Sequence, residues 1–379
     1  SDAMAAVGSL LSARPCSAAA FSIATVTILC EIGAWLVALR CPDTLCPSAG
    51  ATQEPFRLRV LTYNLRFVLD RWRERKEAMY EECINAGADI ICLQEVNIGG
   101  LFVGQLADLS RKLGMPHAVL RAPAGVSFLR SFQALRMLVS RWNLAHLVYL
   151  DVTAAFSSRC FERLIGNHIK AIFDHALLGP VVFVVLGVAW TFGNAMLVVS
   201  RPRCKARTVP GSDDILLLSW RGFRLAQKSC VQCGTPSGKH MFWLVNTHLH
   251  DTDSSEGENV RGEQVRRLLH WVEEGARGVD NVIICGDFNS EPGSVAYRIM
   301  VDAGFTSCFK AVHGQEPDIT YHHGINAASV DTTARESCLD YVWIRGPGLS
   351  PISATLVGTK QVKPGVYASD HFGVLVELM

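Results

Sequence analysis

One stretch, residues 281–292, constrains the fold more than any other part of the chain. It reads Asn281-Val282-Ile283-Ile284-Cys285-Gly286-Asp287-Phe288-Asn289-Ser290-Glu291-Pro292. A short apolar run rich in β-branched residues, closed by Gly and then by polar residues and Pro, is the pattern of a buried strand that ends in a polar loop. Asp287 and Asn289 are two apart, so an extended backbone points both to the same face. Ligands in α/β architectures gather just beyond such strand ends, which makes the pair a candidate site. The plainer alternative is an Asx turn with no further role.

Other apolar runs end the same way. They are Val60-Leu61-Thr62-Tyr63-Asn64, Ile90-Ile91-Cys92-Leu93-Gln94-Glu95, Leu244-Val245-Asn246-Thr247-His248-Leu249-His250 and Cys338-Leu339-Asp340-Tyr341-Val342-Trp343. Ser369-Asp370-His371-Phe372-Gly373-Val374 opens the last strand. Carried by Thr62-Tyr63-Asn64-Leu65, Leu93-Gln94-Glu95, Asn246-Thr247-His248-Leu249, Gly286-Asp287-Phe288-Asn289, Leu339-Asp340-Tyr341 and Ser369-Asp370-His371, in family order, the chain resembles the endonuclease/exonuclease/phosphatase superfamily. That superfamily includes pancreatic deoxyribonuclease, apurinic endonucleases, deadenylases, inositol phosphatases and neutral sphingomyelinases. The resemblance covers about residues 56–379 apart from one insert. It implies two mixed β-sheets packed face to face with helices outside: an α/β/β/α sandwich of the DNase-like type, with a helical insert.

The same resemblance implies a metal-dependent phosphoric diester hydrolase. A phosphodiester is an anion that resists water, so hydrolysis needs charge neutralisation, an activated nucleophile and a stabilised leaving oxygen. Glu95 is the implied principal metal ligand, with Asn64 and Asp370 beside it; hard oxygen donors suit Mg²⁺, with Mn²⁺ as the alternative. His371 contacts the phosphate or takes a proton, and Asp340 holds its imidazole. Asp287 orients and deprotonates the attacking water, Asn289 binds a phosphoryl oxygen, and His248 donates a hydrogen bond to it. The general base is left open between Asp287 and His371.

The substrate is less constrained. Apurinic endonucleases usually carry an acidic residue two positions after the first Asn, and here that position is Arg66. Asn64-Leu65-Arg66 and Thr247-His248-Leu249-His250 look more like neutral sphingomyelinases, which tend to be membrane-associated. A formal charge of +1 and a pI near 7.6 lack the basic bias of a duplex binder. Mean hydropathy of +0.21 is high for a soluble enzyme. A phospholipid substrate of the sphingomyelin type is the leading expectation. Endonuclease or exonuclease action on DNA or RNA is the alternative, and a non-catalytic binding module is the third. No protein partner is implied.

Residues 1–50 hold an apolar segment and a linker, and residues 55–379 the catalytic domain. The apolar run 17–39, broken by Glu31, is long enough to span a bilayer as a helix. A membrane anchor, a signal peptide cut near Ala49-Gly50-Ala51 and a packed helix all fit it. Membrane association or the secretory pathway follows as the expected location. The insert lies at about residues 117–178. Within it Phe128, Phe132, Leu135, Val139 and Trp142 recur at helical spacing among Arg130, Arg136 and Arg141, a pattern for an anionic membrane surface or a helix packed on its own domain. A second uncharged run, residues 177–199, cannot cross a bilayer, because Glu95 would be parted from His248, Asp287 and His371; two buried strands are expected there.

Helices are expected at 71–86, with charges on one side, and at 101–113, 259–274 and 293–303. Cys230-Val231-Gln232-Cys233 is expected as a turn between strands, and His313, His322 and His323 as an exposed loop bordering the cleft. The thirteen cysteines are scattered, an odd number that cannot all pair.

Overall fold

The computed structural model describes residues 56–66, 71–99, 105–113, 191–201, 203–209, 212–219, 224–235, 238–275, 278–325 and 335–379. The N-terminal run 17–39, the insert at 117–178 and residues 177–190 lie outside the described residues. No helix among the described residues is long and apolar enough to cross a membrane.

Among the described residues, thirteen strands form two mixed sheets. The first sheet holds β1 (Leu58–Asn64), β2 (Ile90–Gly99), β3 (Thr191–Val198), β12 (Pro351–Val357) and β13 (Gly373–Leu378), in the order β12-β13-β1-β2-β3. The second holds β4 (Ser200–Arg201), β5 (Cys204–Thr208), β6 (Asp214–Ser219), β7 (Arg224–Thr235), β8 (Gly238–His248), β9 (Val282–Asp287), β10 (Thr306–Ser307) and β11 (Asp340–Arg345). Its order is β10-β11-β9-β8-β7-β5-β4, with β6 paired to β7. Each sheet has one parallel pair, β1 with β2 and β8 with β9.

Strand alternation builds the layers. Leu58, Val60, Ile90 and Cys92 turn inward from the first sheet to meet Phe242, Leu244, Ile283, Cys285, Val342 and Ile344 of the second. The intervening residues turn outward. Leu61, Tyr63, Ile91 and Leu93 pack under α1 (Trp72–Asn85) and α2 (Gln105–Lys112). Trp243, Val245, Val282, Ile284 and Trp343 pack under α3 (Ser255–Gly275) and α4 (Val295–Asp302). The order is therefore helix, sheet, sheet, helix, the expected sandwich. Each fully buried aliphatic side chain contributes about 1.5–3 kcal/mol through removal from water.

Three local expectations are corrected. Cys230 and Cys233 lie inside β7 rather than in a turn, and three residues apart on a strand they face opposite cores. They cannot chelate one ion. Arg75 lies on the buried face of α1, not among its solvated charges. His313 ends α5 (Cys308–His313) and His322 is buried against Tyr367 and Phe372, so the three histidines share no exposed loop.

Candidate active site

The inward-facing positions that are apolar through the sandwich turn polar at one end of the strands. On β1 they run Leu58, Val60, Thr62, Asn64; on β8, Phe242, Leu244, Asn246, His248; on β9, Ile283, Cys285, Asp287. Strand register then sets neighbours: His248 lies opposite Asp287 across β8 and β9, and Asp340 opposite Asp287 across β11 and β9. Beneath them Gln94 donates to Asn246 Oδ1 at 2.7 Å and to Thr62 Oγ1 at 3.1 Å, a buried polar tie between the sheets.

Two residues reach the site only because the backbone departs from alternation. Leu93 faces the outer core and Gln94 the inner, so strict alternation would send Glu95 outward. Its φ of 47° and the register shift between Leu93 and Val96 turn it back, and Oε1 lies 3.3 Å from Asn64 Nδ2. Asn289, at φ 48°, likewise leaves the extended path expected for it. Its N–H donates to Asp287 Oδ1 at 2.9 Å and its Nδ2 to Leu249 O at 3.1 Å. The Asx turn and the candidate site thus coexist: the turn occupies Oδ1 and leaves Oδ2 to the site. Left-handed non-glycine residues store about 1–3 kcal/mol each, and they cluster where a constellation must be held. Gly286 is obligatory nearby, since at its φ of 147° a Cβ would sit 1.9 Å from Thr247 O.

Asp287 Oδ2 is the hub. Asn64 Nδ2 donates to it at 3.0 Å, His248 Nε2 lies 3.4 Å away and His371 Nε2 3.7 Å away. His371 Nδ1 is 2.8 Å from Asp340 Oδ2, which also accepts from Thr320 Oγ1 at 2.7 Å. Asp370 is buried beside this group, with Oδ2 3.3 Å from an Arg66 guanidinium nitrogen. Asn64 O accepts from Ser369 Oγ at 2.7 Å, and Asn64 Oδ1 from the Arg66 N–H at 3.0 Å. All eight sequence-expected residues therefore occupy one end of the sandwich. Asn289 stands at its margin.

Burial and charge split the titration of these groups. Burial, then the Asp340 carboxylate, push Asp287 up to about 7, against the His371 cation and the hydrogen bonds from Asn289 and Asn64. For His371 burial opposes protonation, yet Asp340 and Asp287 outweigh it and push the imidazole up to about 10. His248 goes the other way: burial, Arg224 and His371 hold it well below the usual histidine range. Asp370 is also desolvated, but Arg66 and His371 hold it below the ordinary carboxylate range.

The chain belongs to the Endonuclease/Exonuclease/phosphatase family. The family match spans residues 61–371, from β1 to the last site histidine. Members are generally divalent-metal-dependent phosphodiesterases and nucleases, so phosphodiesterase-type function is the coarse assignment that membership carries. Solved structures share the fold at low identity. Humanized TDP2 from D. rerio is 15% identical with a TM-score of 0.53, covering 86% of this chain and 100% of its own. The human Nocturnin catalytic domain with bound sulfate anion is 19% identical at TM-score 0.52, covering 85% of this chain and 94% of its own. An endonuclease/exonuclease/phosphatase from Bacteroides vulgatus is 16% identical at TM-score 0.52, covering 85% and 98%. No curated protein sequence matches the chain.

The donor set fits the family's divalent cation. Carboxylate oxygens of Glu95 and Asp287 converge on a single Asn64 nitrogen, Asp340 Oδ1 is buried without a hydrogen-bond partner, and Glu95, Asp287, Asp340 and Asp370 offer hard oxygens. Asp287, Asp340 and His371 also bring one ligand atom each within 4.8 Å of one another.

Sequence reading missed two residues here. Arg224, at the start of β7, is buried; it contacts His248 Nε2 and pairs with Asp251 at 2.8 Å. Thr320 holds Asp340 from a loop with no strand pattern. No periodic signal marks either, because a single polar residue at a strand start or in a loop has no companion to define a face.

Proposed function

We propose that the chain hydrolyses a phosphodiester bond with a divalent cation, Mg²⁺ or Mn²⁺, held by Glu95, Asn64 and Asp370 with Asp287 alongside. The observation that carries this reading is the alignment of Asp340, His371 and Asp287: one imidazole nitrogen on a buried carboxylate at 2.8 Å, the other facing a second carboxylate at 3.7 Å. When bound, the cation neutralises phosphate charge and favours the departing oxygen.

The chain's own groups divide the remaining work. Asp340 accepts the Nδ1 proton of His371 and stabilises the imidazolium, so Nε2 of the doubly protonated ring presents its own proton toward the hub. Asp287, lifted to about 7, holds or releases a proton near neutrality and is the base that takes one from water. With Asp287 as base, His371, protonated over the same range, donates a hydrogen bond to the phosphate. His248 stays neutral, and Asn289 and Arg224 supply further donors to phosphoryl oxygen.

The substrate we propose is a phospholipid of the sphingomyelin type, met at a membrane. Asn64-Leu65-Arg66, Thr247-His248-Leu249-His250 and the apolar N-terminal run support it. Arg66 and Arg224 each pair with a carboxylate instead of forming an open basic face, which favours it over nucleic acid. A turnover panel with Mg²⁺ and with EDTA, using sphingomyelin and lysophospholipid vesicles beside single-stranded DNA and RNA, decides. Mg²⁺-dependent release of a phosphorylated headgroup is expected; turnover of nucleic acid alone overturns the lipid reading.

A further inference from the structure

Arg75 is fully buried in α1, and its guanidinium is aimed at backbone rather than at a substrate position. Nη1 donates to Leu65 O at 2.9 Å and to Ala368 O at 2.9 Å, and Nη2 donates to Arg66 O at 2.8 Å. Those carbonyls belong to two turns far apart in sequence. One follows Asn64; the other leads into Ser369, Asp370 and His371. A buried guanidinium is costly to desolvate, and an apolar residue of similar length would fill the same space without that cost. The charge is therefore explained by what it ties together.

Two more observations converge on the same joint. Arg66 sits at φ 53°, a left-handed conformation that a side-chain-bearing residue adopts only when its surroundings impose it. Its carbonyl is taken by Arg75 and its N–H by Asn64 Oδ1 at 3.0 Å, and in that pose its own guanidinium reaches Asp370 Oδ2 at 3.3 Å. Ser369 Oγ closes the joint from the other side by donating to Asn64 O at 2.7 Å. Arg75 also faces Trp72, whose ring centroid lies 5.4 Å from its guanidinium carbon, a cation–π contact from within its own helix.

We propose that Arg75 is a positioning residue of this site. It locks the turn after Asn64 to the turn before Asp370, imposes the left-handed pose of Arg66, and so sets how the Asp370 carboxylate is oriented between Arg66 and the cation. The inference rests on the phosphodiesterase reading, but its reach is the geometry of the two turns. A clamp that served stability alone would change the melting temperature and leave the folded enzyme's chemistry untouched.

The test uses the full chain with Arg75→Lys, which keeps the charge but loses the planar fork, and Arg75→Met, which keeps the bulk. Turnover of bis(p-nitrophenyl) phosphate is measured well below each variant's melting temperature, and Mn²⁺ affinity is measured by electron paramagnetic resonance without substrate. Expected for Arg75→Lys are a fall in kcat of about 10–100-fold with KM nearly unchanged, and Mn²⁺ binding weakened about 10-fold. Should Arg75→Met not fold, Arg75→Lys alone decides. Wild-type kcat and wild-type Mn²⁺ affinity in a folded variant, with only the melting temperature lowered, overturn the proposal. Asp287→Asn serves as the separate control: if it too retains full turnover, the phosphodiesterase reading fails, whereas an inactive Asp287→Asn beside an unaffected Arg75→Lys removes the positioning role alone.

Discussion

His371 and His248 approach the same oxygen of Asp287 from two sides, at 3.7 and 3.4 Å, and both are buried. Their surroundings drive them to opposite charge states. His371 rests on Asp340 and is held protonated; His248 touches Arg224 and is held neutral. Burial is common to both, so burial does not decide the outcome. The nearest fixed charge does. One imidazole becomes a cationic hydrogen-bond donor beside the hub, and the other a neutral ring whose Nε2 accepts from Arg224, so two chemically identical side chains differ in charge and in hydrogen-bond sense.

The largest test removes the shared oxygen or the charged ring. Asp287→Asn and His371→Ala should each lower kcat by about 10³–10⁴-fold, with circular dichroism unchanged. Wild-type turnover in both would falsify the site assignment. Removing the cause of the asymmetry comes next: Asp340→Asn should bring the His371 midpoint down, read by NMR of its ring protons, and cost about 10²-fold in kcat. An unmoved midpoint breaks the comparison at its root.

The pH profile sharpens the comparison further. Activity should rise as Asp287 loses its proton around pH 7 and fall as His371 loses its own toward pH 10. Saturating Mg²⁺ should move the acid limb to lower pH, because a nearby cation favours the carboxylate; a limb indifferent to Mg²⁺ would place the ion elsewhere. A smaller effect is expected from Arg224→Gln: the His248 midpoint rises when its neighbouring cation is gone, and kcat falls about 10-fold.

Stability gives the smallest signal. His371 is raised above its ordinary value, so its contribution is fully present below about pH 6.5 and is lost as pH rises through about 10. Asp287 is also raised. Between its ordinary carboxylate range and about 7 the unfolded chain has released this proton while the folded chain retains it, so stability falls as pH climbs through that window. Asp287→Asn should therefore raise the melting temperature of metal-free protein at pH 8, with the gain vanishing near pH 4. Equal melting temperatures at both pH values would show that Asp287 is not strained by burial.

Much of this was legible from the chain itself. The apolar runs of β1, β8 and β9 alternate inward and outward and turn polar at their C-terminal ends, while β11 opens on Asp340, so the candidate residues stand out at strand ends; the sandwich itself follows from this pattern together with the family resemblance. Where the reading failed, a local rule was overridden from a distance. Arg75 looks like one more charge on an amphipathic helix, yet two remote turns offer it carbonyls. His322 looks like a loop residue, yet Tyr367 and Phe372 enclose it. Glu95 has the right identity but the wrong parity, and only a positive φ brings it inward.

The sequence by itself marked which polar side chains gather at the strand ends, because hydrophobic period and strand endings are local properties that a chain writes residue by residue; the roles proposed for them come from the family resemblance. Tertiary structure alone decided their electrical states and their companions: that His371 is charged and His248 neutral, and that Arg224, Thr320 and Arg75 belong beside them. The reason is physical. Electrostatic coupling and hydrogen bonding depend on distance through space, and the partners that set them lie tens to hundreds of residues away along the chain.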